Sequence, residues 1–294
     1  MGNIVNKFFK KPLNPVQEEA RIRRPAAGEG ADETIVYLPP QLVAGSAQSV
    51  GKLRDHNEDA LFAMTSVIAE GDRQLPFGIF IVADGMGGHQ HGEVASGMAT
   101  RALVEYLVAR LYPPLMGLRA VEQEESLHEV IEMGIEEAQK NVLRKAPGGG
   151  TTLTVAVVIG NQVTLAHVGD SRAYFIEPDA KVELLTKDHS LVGRLVELGQ
   201  ITEEEAAVHP QRNVLYRALG QLEPIKPDIN THVFPDNGYL LLCSDGLWGV
   251  VPQEEIVEVV LSAGNLSRAC SRLVEAANRA GGPDNISVVL VRYL

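Results

Sequence analysis

The sequence predicts an α+β fold in which antiparallel sheets are packed between helices. Three observations carry this. Two apolar, strand-like runs, TTLTVAVVI and QVTLAHVGD, are separated only by Gly160-Asn161, a dipeptide suited to a tight hairpin turn. Stretches with helical apolar spacing stand before this hairpin and again after it. Strand signals return among and behind the later helices. Hairpins at the centre with helix pairs on either side make an α+β sandwich.

In chain order, residues 1–40 combine a basic head (Lys7, Lys10, Lys11, Arg21, Arg23, Arg24) with GEGADE and YLPP and show no sustained periodicity. They read as a disordered or extended tail, with 41–294 as the folded unit. PFGIFIVADG is a buried strand ending at Asp84, and residues 93–111 have helical spacing. A second helix runs from about Glu122 to Lys145 and is closed by PGGG. After the hairpin, RAYFIEP continues as a third strand beyond Asp170-Ser171, and residues 187–220 form a polar, helix-rich stretch. GYLLLCSDG is again a strand, QEEIVEVVLSAG and LSRACSRLVEAANRAGG are helices, and NISVVLVRYL is the last strand. No repeat of fixed period is visible.

A chain of 294 residues with 45% hydrophobic content can bury one large core, and nothing in its middle resembles a linker. Its charge of −12, from 38 acidic against 26 basic residues, argues against a nucleic-acid binder and suits a site that gathers divalent cations. Cys243 and Cys270 lie in apolar contexts and read as buried free thiols, which fits a reducing cytoplasm. No apolar run reaches the ~18 residues of a membrane span, and MGNIVNKFFKK lacks the features of a signal peptide.

Asp59, Asp84, Asp245 and Asp284 each stand at the edge of a strand-like run, and together they could hold hard cations. In RDHNEDA, adjacent Glu58 and Asp59 point to opposite faces if extended, so one can bind a metal directly while the other acts through water or a second metal. Arg54 offers a planar fork to phosphate oxygens, although the same heptapeptide could be a solvated charge run. In VADGMGGH, Asp84 ends a buried strand and is followed by glycines at 85, 87 and 88, useful where backbone must approach a ligand. CSDGLW and GGPDNI repeat the pattern of an aspartate at a strand boundary; singly, each is usually a turn or cap. An all-oxygen donor set selects Mg²⁺ or Mn²⁺ over zinc. Asp170, in VGDSR, is either a further acidic site or a structural turn in which Arg172 pairs with a carboxylate. The histidines show no metal-ligand spacing; His89 and His91, flanking the glycine turn, are the candidates to touch the site.

RDHNEDA, VADGMGGH, GGGTTLTVAVV, HVGDSRAY, LLCSDGLW and GGPDNISVVLV resemble the ordered motifs of the PPM/PP2C family of metal-dependent serine/threonine protein phosphatases, over residues 46–294. The stretch DHSLVGRLVELGQITEEEAAVHPQRNVLYRALG is similar to the flap of the bacterial branch, at about 188–220. The resemblance implies a four-layer α-β-β-α sandwich and two core Mn²⁺ or Mg²⁺ ions plus a weaker third. It assigns Asp59 and Asp245 to metal binding, Asp84 to bridging the pair, the Gly85 carbonyl to one ion, Asp284 to the other side of the pair, and Glu58 to a water-mediated contact. Arg54 would hold substrate phosphate, and Asp170 the third ion. Animal members place a histidine proposed as general acid where this chain has Met86, which cannot donate a proton.

The activity so implied is hydrolysis of phosphoserine and phosphothreonine in proteins by water activated between two metals, without a phosphoenzyme. Consistently, neither cysteine begins a Cys-x5-Arg loop, since Gly249 and Ala276 hold the sixth positions, and no DxDx[TV], P-loop or kinase motif is present. Two alternatives are a pseudophosphatase that only binds phosphoproteins and a dedicated stress-signalling regulator phosphatase. The retained carboxylates argue against the first, because such clustering is unfavourable without metal. Partners would be phosphoproteins, including a cognate serine/threonine kinase or its substrates, met by a monomer. In the tail, Thr34 sits in an acidic-then-apolar setting that resembles segments read by forkhead-associated domains, and Phe8 and Phe9 in the basic head could touch an anionic membrane weakly.

Overall fold

The computed structural model describes residues 39–70, 73–87, 90–118, 125–221 and 224–294. The expectations for Thr34, Phe8, Phe9 and His89 lie outside these residues. One five-stranded antiparallel sheet has the order β1 (Leu42–Ser49), β12 (Ile286–Tyr293), β11 (Tyr239–Cys243), β8 (Arg172–Ile176), β9 (Val182–Leu184). The other has the order β10 (Asp228–Val233), β7 (Gln162–Val168), β6 (Leu153–Ile159), β3 (Arg73–Ala83), β2 (Ala60–Glu70). Helices α1 (Gln90–Leu115) and α2 (Leu127–Lys145) cover the second sheet; α6 (Gln253–Ser262) and α7 (Leu266–Arg279) cover the first.

The alternation of strand side chains builds three apolar layers. On β3, Phe77, Ile79 and Ile81 face α1 and α2, while Phe80 and Val82 face the opposite sheet. On β11, Leu241 and Cys243 face α6 and α7, while Leu240 and Leu242 meet Phe80 and Val82 in the middle. Both faces of these strands are buried, which is why they read as continuous apolar runs instead of alternating ones. The four-layer α-β-β-α sandwich is therefore present.

Gly160-Asn161 makes the β6–β7 turn, with Ile159 opposite Gln162 and Gly160 at φ 63°, a conformation glycine adopts readily. The first helix extends to Leu115, beyond the expected end, although Pro113 and Pro114 offer no N–H to its last turn, because buried Leu111 and Leu115 hold it against the sheet. The second starts at Leu127, where Ser126 caps it: Ser126 Oγ accepts from the Glu129 N–H at 3.3 Å and Glu129 Oε2 accepts from the Ser126 N–H at 2.6 Å. RAYFI does not extend the hairpin sheet. After β7 the chain crosses to the other sheet, and Asp170 lies in that crossing. The stretch 188–220 carries two short helices, α3 (Leu191–Glu197) and α4 (Glu203–Ala207), and α5 (Asp245–Trp248) follows β11.

Candidate metal centre and active site

At one end of the sandwich, a cavity of about 200 Å³ is lined by Arg54, Glu58, Asp84, Gly85, Asp170, Asp245 and Asp284, together with Met86 and the Asn213 and Leu215 side of the flap. Asp59 lies beneath it, only 8% exposed. Each carboxylate arrives from a strand end: Glu58 and Asp59 precede β2, Asp84 follows β3, Asp170 sits between β7 and β8, Asp245 follows β11 and Asp284 precedes β12. The sheets deliver opposing contributions to the gap between them.

The Asp84 backbone is fixed on both sides. Its N–H donates to Thr152 Oγ1 at 2.9 Å, and its carbonyl accepts from the Thr152 N–H at 2.8 Å and Thr151 Oγ1 at 2.9 Å. Gly85-Met86 (β4) then pairs with Gly150-Thr151 (β5). A side chain at Gly85 would come within 2.3 Å of the Gly92 carbonyl and 2.4 Å of the Glu58 carbonyl. Only glycine lets these three segments meet.

Asp59 Oδ2 accepts from Ser244 Oγ at 2.9 Å and Ser287 Oγ at 2.6 Å. Asp284 Oδ2 accepts from Arg54 Nη2 at 2.7 Å, and its Oδ1 accepts from the Asn285 N–H at 2.9 Å. Asn285 ties the first motif to this loop: its Nδ2 donates to the Val50 carbonyl at 2.8 Å and the His56 carbonyl at 3.0 Å, while its Oδ1 accepts from the Glu58 N–H at 2.8 Å. Glu58 Oε1 stands 3.2 Å from His56 Nε2. The Asp170 carbonyl accepts from Trp248 Nε1 at 3.1 Å. Arg172 forms a two-point pair with Asp188, Nε to Oδ1 at 3.0 Å and Nη2 to Oδ2 at 2.7 Å, and its guanidinium stacks 3.5 Å above the Trp248 ring. In VGDSR, Arg172 braces the turn by pairing with a carboxylate, and Asp170 lines the cavity.

The electrostatics are those of crowded acids. Removal from water pushes Asp59 up to about 7, Asp170 to about 8 and Asp245 to about 6. Asp84 is driven well above the usual carboxylate range by the same desolvation, with Asp59, Asp245, Asp170 and Asp284 adding repulsion. Among the described residues, no group of three acidic, histidine or cysteine side chains is already drawn together around an ion position. The donor set nevertheless fits hard divalent cations. Asp59 Oδ1 and Asp245 Oδ1 are buried with no hydrogen-bond partner, and a positive ion satisfies such oxygens and relieves the repulsion together.

Of the two candidate histidines, His91 is exposed and packs by the Gly148-Gly149 turn, outside the lining of the cavity. Sequence reasoning missed Thr152, Ser244, Asn285, Ser287, Asn213 and Leu215. Ser244 and Asn285 sat beside singled-out aspartates, and their adjacency was the one available signal.

The sequence model of the family described as "Protein phosphatase 2C" matches residues 43–286. The chain belongs to that family. It is 39% identical over 247 residues to the serine/threonine phosphatase stp of Listeria innocua, a match covering 82% of this chain and 92% of that one. Among solved structures, it is similar to the serine/threonine phosphatase PstP/Ppp of Mycobacterium tuberculosis, with TM-score 0.68 and 33% identity, covering 85% of this chain and 98% of that one. It is likewise similar to the catalytic domain of the phosphatase PstP in complex with two manganese ions, with TM-score 0.67 and 31% identity over 86% of this chain and 98% of that one.

Proposed function

We propose that Asp59, Asp84, Asp245 and Asp284, with the Gly85 carbonyl, hold the core metal pair of this protein serine/threonine phosphatase. Glu58 contributes through water, Asp170 serves a weaker third ion, and Arg54 grips the substrate phosphoryl group. Two bound divalent ions supply an activated water and neutralise charge on the transferring phosphoryl group. The protein's part is to place acceptors and exclude alternatives. Thr151 and Thr152 fix the Asp84 backbone, and Ser244 and Ser287 fix Asp59 in one orientation.

Arg54 is about half exposed, at the mouth of the cavity, and its charge is held by Asp284. A phosphoryl oxygen entering the cavity competes for that same guanidinium, so Arg54 can exchange a carboxylate for substrate without moving far. Met86 lines the cavity and has no proton to give, so the proton for the leaving oxygen is assigned to water.

The observation that carries this reading is the convergence of five carboxylates on one cavity, with Asp59 directly below and two buried oxygens without partners. A binding-only role is disfavoured, since it requires none of them. The test is phosphate release from a phosphothreonine peptide. Release should require Mn²⁺ or Mg²⁺, and undiminished release in excess chelator would overturn the reading.

Residues 41–294 are assigned as the phosphatase unit and 1–40 as an extension; the paired hydrogen bonds between Gln41 and Leu294, each 2.9 Å, support a unit closed there. The substrates are phosphoproteins, with a cognate kinase or its targets among them, and the protein acts as a monomer in the cytoplasm. Cys243 and Cys270, both buried and free, accord with a reducing compartment. No helix among the described residues is long and apolar enough to cross a membrane.

A further inference from the structure

Behind the catalytic cavity lies a second one of about 400 Å³, lined by Lys187, His189, Arg194, Tyr216, Arg217 and Asp228. The two share a wall. Asn213 and Leu215 face the catalytic cavity, and the next residues, Tyr216 and Arg217, face this one. The wall is pinned to the start of the flap: the Leu191 N–H donates to the Val214 carbonyl at 2.8 Å, and the Tyr216 N–H to the His189 carbonyl at 2.9 Å.

The charge balance here opposes that of the whole protein. Three cations, Lys187, Arg194 and Arg217, are offset by two carboxylates, Glu197 and Asp228. Glu197 serves both Lys187 and Arg194, so one anion is divided between two cations. His189 is a neutral imidazole and adds no charge. Its Nδ1 accepts from the Gly169 N–H at 3.0 Å, so Nε2 carries the hydrogen and donates to Asp228 Oδ2 at 3.1 Å. Arg194 and Arg217 reach their carboxylates through Nη1 alone, and in Arg217 the same Nη1 also stands 3.1 Å from His189 Nε2, leaving Nη2 and Nε of each for a ligand. A fork of guanidinium donors beside an ammonium is the recognition chemistry of a phosphate monoester.

We infer that this cavity is a second phosphoryl-binding site, which takes an additional phosphate on a substrate whose other phosphate is at the catalytic centre. The inference rests on the phosphatase reading above. It makes the enzyme prefer multiply phosphorylated segments, and it gives the flap a substrate contact that small esters cannot use.

The test compares kcat/KM in Mn²⁺ for para-nitrophenyl phosphate, a singly phosphorylated threonine peptide, and peptides with a second phosphoserine at a series of spacings. The parent should favour the best-spaced double peptide by about tenfold, one ~1.4 kcal/mol step. Lys187→Ala/Arg194→Ala should lose that preference while keeping para-nitrophenyl phosphate hydrolysis. Glu197→Gln, which frees both cations, should keep or raise it, whereas a merely structural disturbance would lower it in both variants. No turnover of any substrate by the parent strikes the phosphatase reading itself. Turnover with no preference in the parent, or a preference that survives in the double variant, overturns the second site alone. In a further arm, inorganic phosphate that changes the single-peptide rate of the parent but not of the double variant identifies free phosphate as the occupant and rejects the substrate-borne one.

Discussion

Asp84 is the residue through which most of the site's charge coupling runs. It feels every other core carboxylate: Asp59, Asp245, Asp170 and Asp284 all add repulsion to its charged form. Asp84→Asn should therefore lower turnover of para-nitrophenyl phosphate in saturating Mn²⁺ at least about a thousandfold, ~4 kcal/mol, while the fold persists because one repelling charge is gone. Near-parent rates from a protein with a native circular dichroism spectrum would falsify its place in the metal pair. Asn285 acts differently, through three hydrogen bonds that join two loops. Asn285→Ala leaves two carbonyls and the Glu58 N–H without that partner, and should cost about 2–3 kcal/mol of stability by urea unfolding and weaken Mn²⁺ binding in calorimetry. The aspartates were legible in the sequence because an acid ending an apolar run beside glycine is an unusual combination. Asn285, Ser244 and Ser287 were not, because a single hydroxyl or amide beside a strand carries no pattern; only the folded chain shows that Ser287 reaches Asp59, 228 positions away.

At the scale of elements, the strands read correctly were the central ones. β3, β6, β11 and β12 are sandwiched between layers and read as apolar runs. Within the two five-stranded sheets, the strands not specified, β1, β2, β9 and β10, are the four edges. An edge strand has one neighbour and a partly solvated face, so LVAGSAQS and DINTHV carry small and polar residues that give little signal. The crossing from β7 to β8 was also illegible, since apolar runs on either side of a turn look alike whether or not they share a sheet. That crossing suspends Asp170 between the sheets. Asp170→Ala should retain both tighter Mn²⁺ equivalents in calorimetric titration yet lose much of its turnover; disappearance of all metal binding would contradict the assignment. For the framework, Leu241→Ala, in the middle of β11 and fully buried against α6 and α7, should cost about 2–5 kcal/mol, read from the denaturant midpoint at unchanged slope.

For the molecule as a whole, the sandwich brings at least four carboxylates with raised proton affinity to one end, in a chain already at −12. In the unfolded chain these groups titrate near 3.8; folded, Asp245, Asp59 and Asp170 titrate near 6, 7 and 8. Their contribution to stability is therefore fully present below about pH 4 and is lost as pH rises through 6 to 8. His167 works in the opposite sense. Burial, with His189 beside it, depresses it to about 3 against the hydrogen bonds to the Gly169 and Lys187 carbonyls, so folding loses stability as pH falls from about 6.5 toward 3. The metal-free protein should consequently be most stable in mildly acidic solution. Its Tm in chelator should fall by more than about 5 °C between pH 5.5 and 8.5, and Mn²⁺ should raise Tm more at the alkaline end, where the site is ionised. General self-repulsion of an acidic protein has the same sign, so the discriminating comparison is between two neutralising substitutions. Asp245→Asn should flatten the slope, whereas Glu204→Gln, at an exposed position in α4, should leave it unchanged. Equal slopes for both variants and the parent would place the pH response in net charge and not in the site.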